Sequence, residues 1–115
     1  MQLDCYWDTD GDPRARCSPA HALVAHFLES DIQGSLELCQ DILQAIAQIE
    51  TGQLKNWEQT GNAHTLSLAA THACIEAEFD KKAQPCRLSV QELREALEGW
   101  QTFLEQGKKA KKPEK

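Results

Sequence analysis

Residues 30–52 read SDIQGSLELCQDILQAIAQIETG, and the spacing of their apolar side chains predicts an amphipathic helix. Ser30 and Gln33 stand at the spacing of a capping box, with Asp31 in the acidic first turn. Ile32, Leu36, Cys39, Leu43, Ile46 and Ile49 then recur at helical intervals, and Ile42 widens the stripe. Gly52 falls where a left-handed residue closes a helix. Gly34 weakens the first turn and leaves Ser35 as an alternative start. A stripe this wide needs another element to cover it, so the fold turns on what lies to either side.

Downstream, residues 63–69 and 73–79 alternate with the period of strands. Leu66 and Leu68 share one face of the first, and Ala73, Ile75, Ala77 and Phe79 share one face of the second. The link Ala70-Thr71-His72 is short enough for an antiparallel hairpin. Residues 80–88 read as a loop. Ser89 and Glu92 form a second capping box, leading into a helix with Val90, Leu93, Leu97, Trp100 and Leu104 on its apolar face. Gly99 inside that helix costs about 1 kcal/mol relative to alanine, with no reason visible in the sequence beyond close packing or an exposed face.

Upstream, Leu3, Cys5 and Trp7 alternate with Asp4, Tyr6 and Asp8 as in a half-buried strand. The run from Asp8 to Pro13 breaks that pattern with turn chemistry, and a second extended segment returns through Ala15 and Cys17. Residues 20–28 are apolar and too short to assign as helix or strand. The expectation is an α+β fold: an antiparallel β-sheet packed on one face by two amphipathic α-helices. Residues 1–106 form the single domain, and residues 107–115 a disordered basic tail.

The chain has 115 residues and a net charge of −6. Five lysines follow Gly107, so the body before it holds 7 basic against 17 acidic residues and carries −10. A body so charged repels nucleic acid and anionic lipid and attracts basic surfaces. No stretch approaches the roughly 20 apolar residues of a membrane helix. The first residues lack the basic and apolar regions of a secretory signal, so a cytoplasmic location is expected. Five cysteines, an odd number without C-x-x-C spacing, read as apolar side chains or incidental thiols and not as a disulfide framework.

Catalytic chemistry finds no support in the residue pattern. Asp8-x-Asp10-x-Asp12 opens like a calcium loop, but the positions that need Gly and Glu are Pro13 and Pro19. His21 and His26 are five apart and would not share a helix face. His64 and His72 lie near opposite ends of the hairpin and lack further zinc ligands at a suitable spacing. There is no nucleophile elbow, P-loop or dinucleotide fingerprint. No enzyme activity, metal or cofactor is expected. Trp57, before the hairpin, reads as a core lid or as a contact anchor. If the apolar strand faces meet the helices, the opposite sheet face carries Asp4, Tyr6, Asp8, Glu76 and Glu78. These are the candidate partner-binding residues, with a solvated polar face as the competing reading.

The segment Phe27-Leu28-Glu29-Ser30-Asp31-Ile32, the helix to Gly52, then Trp57 and Gly61-Asn62 before a hairpin, form a distinctive order. The last helix adds Glu92-Leu93, Leu97, Trp100 and Phe103-Leu104. Over residues 20–105 this layout resembles immunity proteins of contact-dependent growth inhibition and related polymorphic toxin systems, and it is similar to the YacL-type family. The first resemblance implies an acidic protein that neutralises a cognate toxin, a basic nuclease domain, by stoichiometric binding. The second implies a housekeeping adaptor or regulator with no toxin partner. Neither resemblance carries over binding residues.

Overall fold

The computed structural model describes residues 2–80 and 82–111, with side chains through Gly107. The N-terminal alternation forms β1 (Leu3–Trp7), which pairs antiparallel with β2 (Pro13–Cys17). A 3-10 turn at Pro19–His21 leads into α1 (Ala22–Phe27), which continues as a π-helical turn over Leu28–Ile32. Then come α2 (Leu36–Glu50), β3 (Trp57–Thr60), β4 (His64–Leu68), β5 (His72–Ala77), β6 (Cys86–Ser89) and α3 (Val90–Lys111). The four later strands make one antiparallel sheet in the order β3-β4-β5-β6, separate from the β1–β2 hairpin. The class is α+β with antiparallel sheets, although two sheets and three helices stand where one sheet and two helices were expected.

The long helix starts at the alternative position. Ser35 is its N-cap, and the Ser35 hydroxyl accepts the Leu38 N–H at 3.0 Å. Ser30 and Gln33 do not form a capping box. The Gln33 side chain instead donates to the Ser30 carbonyl, and Gln33 N–H closes the π turn on Leu28 O. Gln33 sits at φ 55°, a left-handed conformation that non-glycine residues rarely adopt. That turn redirects the chain, so Ile32 packs into the core from outside the helix. At the far end Gly52 takes φ 83° just past the C-cap Thr51, as its position in the sequence implied.

Two strands appear where sequence gave none. Residues 86–89, read as the end of a loop and a cap, alternate buried and exposed as β6. Trp57 precedes β4 as expected but also opens a strand of its own, β3, from which Gly61 and Asn62 turn into β4. The register aligns Trp57, Leu68, Ala73 and Leu88 across the sheet on the face toward the helices, where α1 and α3 cover it. Trp57 therefore packs against the core as a lid. Phe79, expected on that face, lies beyond the end of β5 and is 83% exposed.

The core closes between that face, α1 and α3, with α2 packed on α3. Trp100, Leu93, Leu97, Ile46 and Ile75 are fully buried in it, each worth about 1.5–3 kcal/mol of transfer free energy or more. The second capping box forms as read: Ser89 Oγ accepts Glu92 N–H at 2.9 Å and Glu92 Oε1 accepts Ser89 N–H at 3.0 Å. The Arg94 guanidinium pairs with Glu50 between α2 and α3. The last helix passes the expected boundary at 106 and runs to Lys111. Gly107 is buried under the Trp7 ring, where a methyl group would collide. Residues 112–115, the end of the expected basic tail, lie outside the described residues.

Candidate interaction surface

The five residues expected to share one sheet face fall on two separate sheets. Asp4 and Tyr6 project from β1, where register places Arg16 opposite Asp4 and Arg14 opposite Tyr6. The Arg16 guanidinium lies 4.6 Å from the Tyr6 ring centroid, a cation–π contact. Arg14 approaches Asp8 at 4.0 Å and Glu29 at 3.6 Å. The hairpin face is therefore mixed in charge and not acidic. The weak alternation of residues 13–17 gives no sign in the sequence that two arginines stand beside those carboxylates.

Asp8 closes its own turn. One of its carboxylate oxygens accepts the N–H groups of Asp10 and Asp12, each at 2.9 Å. The carboxylates of Asp8, Asp10 and Asp12 come within 4.8 Å of one another. The arrangement is that of an Asx turn, which needs no ion to explain it.

Glu76 and Glu78 do belong together, on the outer face of the four-stranded sheet. Cross-strand register sets Thr60, Thr65 and Glu76 in one outward row, and the Thr65 hydroxyl donates to the Glu78 carboxylate. The next row is Glu58, Ser67, Cys74 and Arg87. Beside it, a concavity of about 520 Å³ is bordered by Trp57, Glu58, His72 and Arg87. Sequence reasoning missed Glu58 and Arg87 because β3 and β6 were not read as strands. The alternation Cys86-Arg87-Leu88-Ser89 carried the signal for the second, whereas Trp57-Glu58-Gln59-Thr60 carries none.

Sequence reasoning also missed a buried Asp31–His64 pair. Asp31 Oδ1 lies 2.8 Å from His64 Nδ1, with both side chains at or below 5% exposure. The other carboxylate oxygen accepts the N–H groups of Ala63 at 3.3 Å and His64 at 3.1 Å. Asn62 donates to the Ser30 carbonyl at 3.0 Å alongside. The pair thus ties the π turn to the start of β4. It resembles half of a catalytic triad, but no hydroxyl or thiol is hydrogen-bonded to the imidazole among the described residues, so its visible work is structural.

All five cysteines are free thiols. Burial pushes each one upward from the ordinary thiol range, and Cys39, with Glu105 adding repulsion, reaches about 11. Reactive thiols are shifted the other way.

No helix among the described residues is long and apolar enough to cross a membrane. No solved structure matches the chain. A protein of Shewanella amazonensis described as "UPF0231 protein" is 26% identical over 110 residues, covering 83% of this chain and 89% of the relative. A Klebsiella pneumoniae protein is 27% identical over 77 residues, and one from Salmonella paratyphi B, described as "UPF0231 protein YacL", is 23% identical over 77. Each of these two matches spans 67% of this chain but only 63% of the relative. The YacL side of the resemblance is thereby supported, and none of these relatives is described as an immunity protein. A family model described as "Uncharacterised protein family (UPF0231)" matches residues 1–99, and on that match the chain belongs to the UPF0231 family.

Proposed function

We propose that the protein is a non-catalytic adaptor or regulator that holds a basic protein partner against the outer face of its four-stranded sheet. The observation that carries this reading is the face itself. Glu58, Glu76 and Glu78 project from or beside it, against Arg87 and His72 in its cross-strand rows. A body charge of −10 extends the same field over longer range, and such fields speed encounter with basic partners. The bordering concavity, with Glu58, His72 and Arg87 at its edge, gives a partner side chain a recess on that face. Neutralising a basic toxin would be one case of such binding, and the matched relatives do not favour it over a regulatory partner.

Reversing two exposed charges, Glu58→Lys with Glu76→Lys, tests the face without disturbing Glu78, whose carboxylate is bonded to Thr65. Tagged full-length protein, cross-linked in the cells that make it, should retain a basic partner at low salt. The double variant, with an unchanged circular dichroism spectrum, should lose it. Equal recovery by both proteins would move the contact elsewhere, and no specific partner for either would end the binding reading.

A further inference from the structure

The β1–β2 hairpin leaves backbone groups of Leu3 and Cys5 unpaired on the outer side of β1 among the described residues. Ala15 N–H donates to Glu29 Oε2 at 2.7 Å, so it points away from β1. Opposite Trp7 stands Pro13, which has no N–H to give. Asp8 N–H donates to Asp12 O in step with both facts. Antiparallel pairs alternate between bonded and non-bonded, so Asp4–Arg16 and Tyr6–Arg14 carry the ladder bonds. The N–H and C=O groups of Leu3 and Cys5 therefore face outward, and no group among the described residues pairs with them. The outer edge of β2 is closed by Glu29. The edge of β1 is open at Leu3 and Cys5.

Leu3 and Cys5 also line a groove of about 560 Å³ against α3. Its floor is apolar, from Leu3, Cys5, Ala96 and Phe103, and its rim carries Glu95 and Glu98. None of the described residues lining it is basic. Gly99 opens the groove: a Cβ there would meet nothing within 4 Å, so packing does not require the glycine. Replacing it with a larger residue would fill the space.

We propose that the open β1 edge and its groove form a second docking site, which takes an extended basic segment of a partner protein as a third strand. Main-chain bonds to Leu3 and Cys5 hold the segment. Its alternate side chains enter the groove as small apolar groups, and its lysines or arginines meet Glu95 and Glu98. This site uses different residues from the outer face of the four-stranded sheet and stands or falls without it.

The test selects displayed random peptides, about twelve residues long so as to exceed one strand, on the full chain. Enriched peptides should combine Lys or Arg with alternating apolar residues. Their addition should slow amide exchange at Leu3 and Cys5 about tenfold or more. Gly99→Leu, whose fold is checked by circular dichroism, should lose binding about tenfold or more, as should Glu95→Lys with Glu98→Lys. The Glu58→Lys, Glu76→Lys protein should bind as the parent does, which separates this site from the first. The proposal is overturned by any of four results: no enrichment over a control protein, enrichment of acidic peptides, equal binding by Gly99→Leu, or unchanged exchange at Leu3 and Cys5. A concentration-dependent dimer abolished by Gly99→Leu would assign the groove to a second copy of this chain and overturn it too.

Discussion

Asp31 is a buried carboxylate with three hydrogen bonds, and its neighbours are shaped to it. Gly61 has no side chain because a methyl group there would collide with the Asp31 carboxylate. Removing Asp31 strands His64 Nδ1 and two backbone N–H groups away from water, at a cost of about 2–4 kcal/mol. Asp31→Ala should lower the urea midpoint by a corresponding amount. Gly61→Ala should also destabilise, because the carboxylate must give way. In the double variant the collision is gone, so the two losses should sum to less than their separate values. Additive losses would mean that the Gly61 effect arises in the turn and not at Asp31. None of this was legible beforehand. Asp31 read as a helix first-turn acid and His64 as a hairpin end, and no local pattern joins positions 33 residues apart.

Elements with a short-range signal were readable, and those whose form depends on distant partners were not. β1, the β4–β5 hairpin, the Ser89 capping box and Gly52 each rest on spacing within one segment. α2 lost its first turn because Gln33 takes a left-handed conformation, and the Gln33 carbonyl accepts Trp100 Nε1–H at 2.9 Å, a contact made across the fold. β3 and β6 are four-residue edge strands, defined by the neighbours they pair with. The candidate face was half legible for the same reason: Glu76 and Glu78 came from a readable strand, Glu58 and Arg87 from unreadable ones. α3 supplies the test at this scale. Gly99 is exposed, helical and unobstructed, so Gly99→Ala should stabilise the protein by about 1 kcal/mol in chemical denaturation. A loss instead would show that the backbone at 99 needs glycine for a reason other than space.

The whole molecule carries its thiols in the protonated form, and that sets how it responds to alkali. Cys39 is fully buried and its S–H donates to the Leu97 carbonyl at 3.3 Å, so α2 is tied to α3 through a group that must stay neutral. Burial first, and then the Glu105 charge, raise its pKa from 9.0 to about 11. The unfolded chain therefore gives up this proton before the folded one does. Below about pH 9 both states hold the proton and stability is unaffected; from pH 9 to about 11 the unfolded state is favoured progressively, and above that the loss levels off. A shift of this size corresponds to about 2–3 kcal/mol. Alkali changes other charges on the chain as well, and each change contributes to the pH dependence of stability. Those contributions are common to the parent and a Cys39→Ala variant, so the comparison isolates the one thiol. Cys39→Ala should start lower at pH 8, because a buried sulfur has been removed, and then lose less stability than the parent on going to pH 11. Urea unfolding at the two pH values measures both slopes, and parallel curves would mean that Cys39 ionises as easily in the folded chain as in the unfolded one.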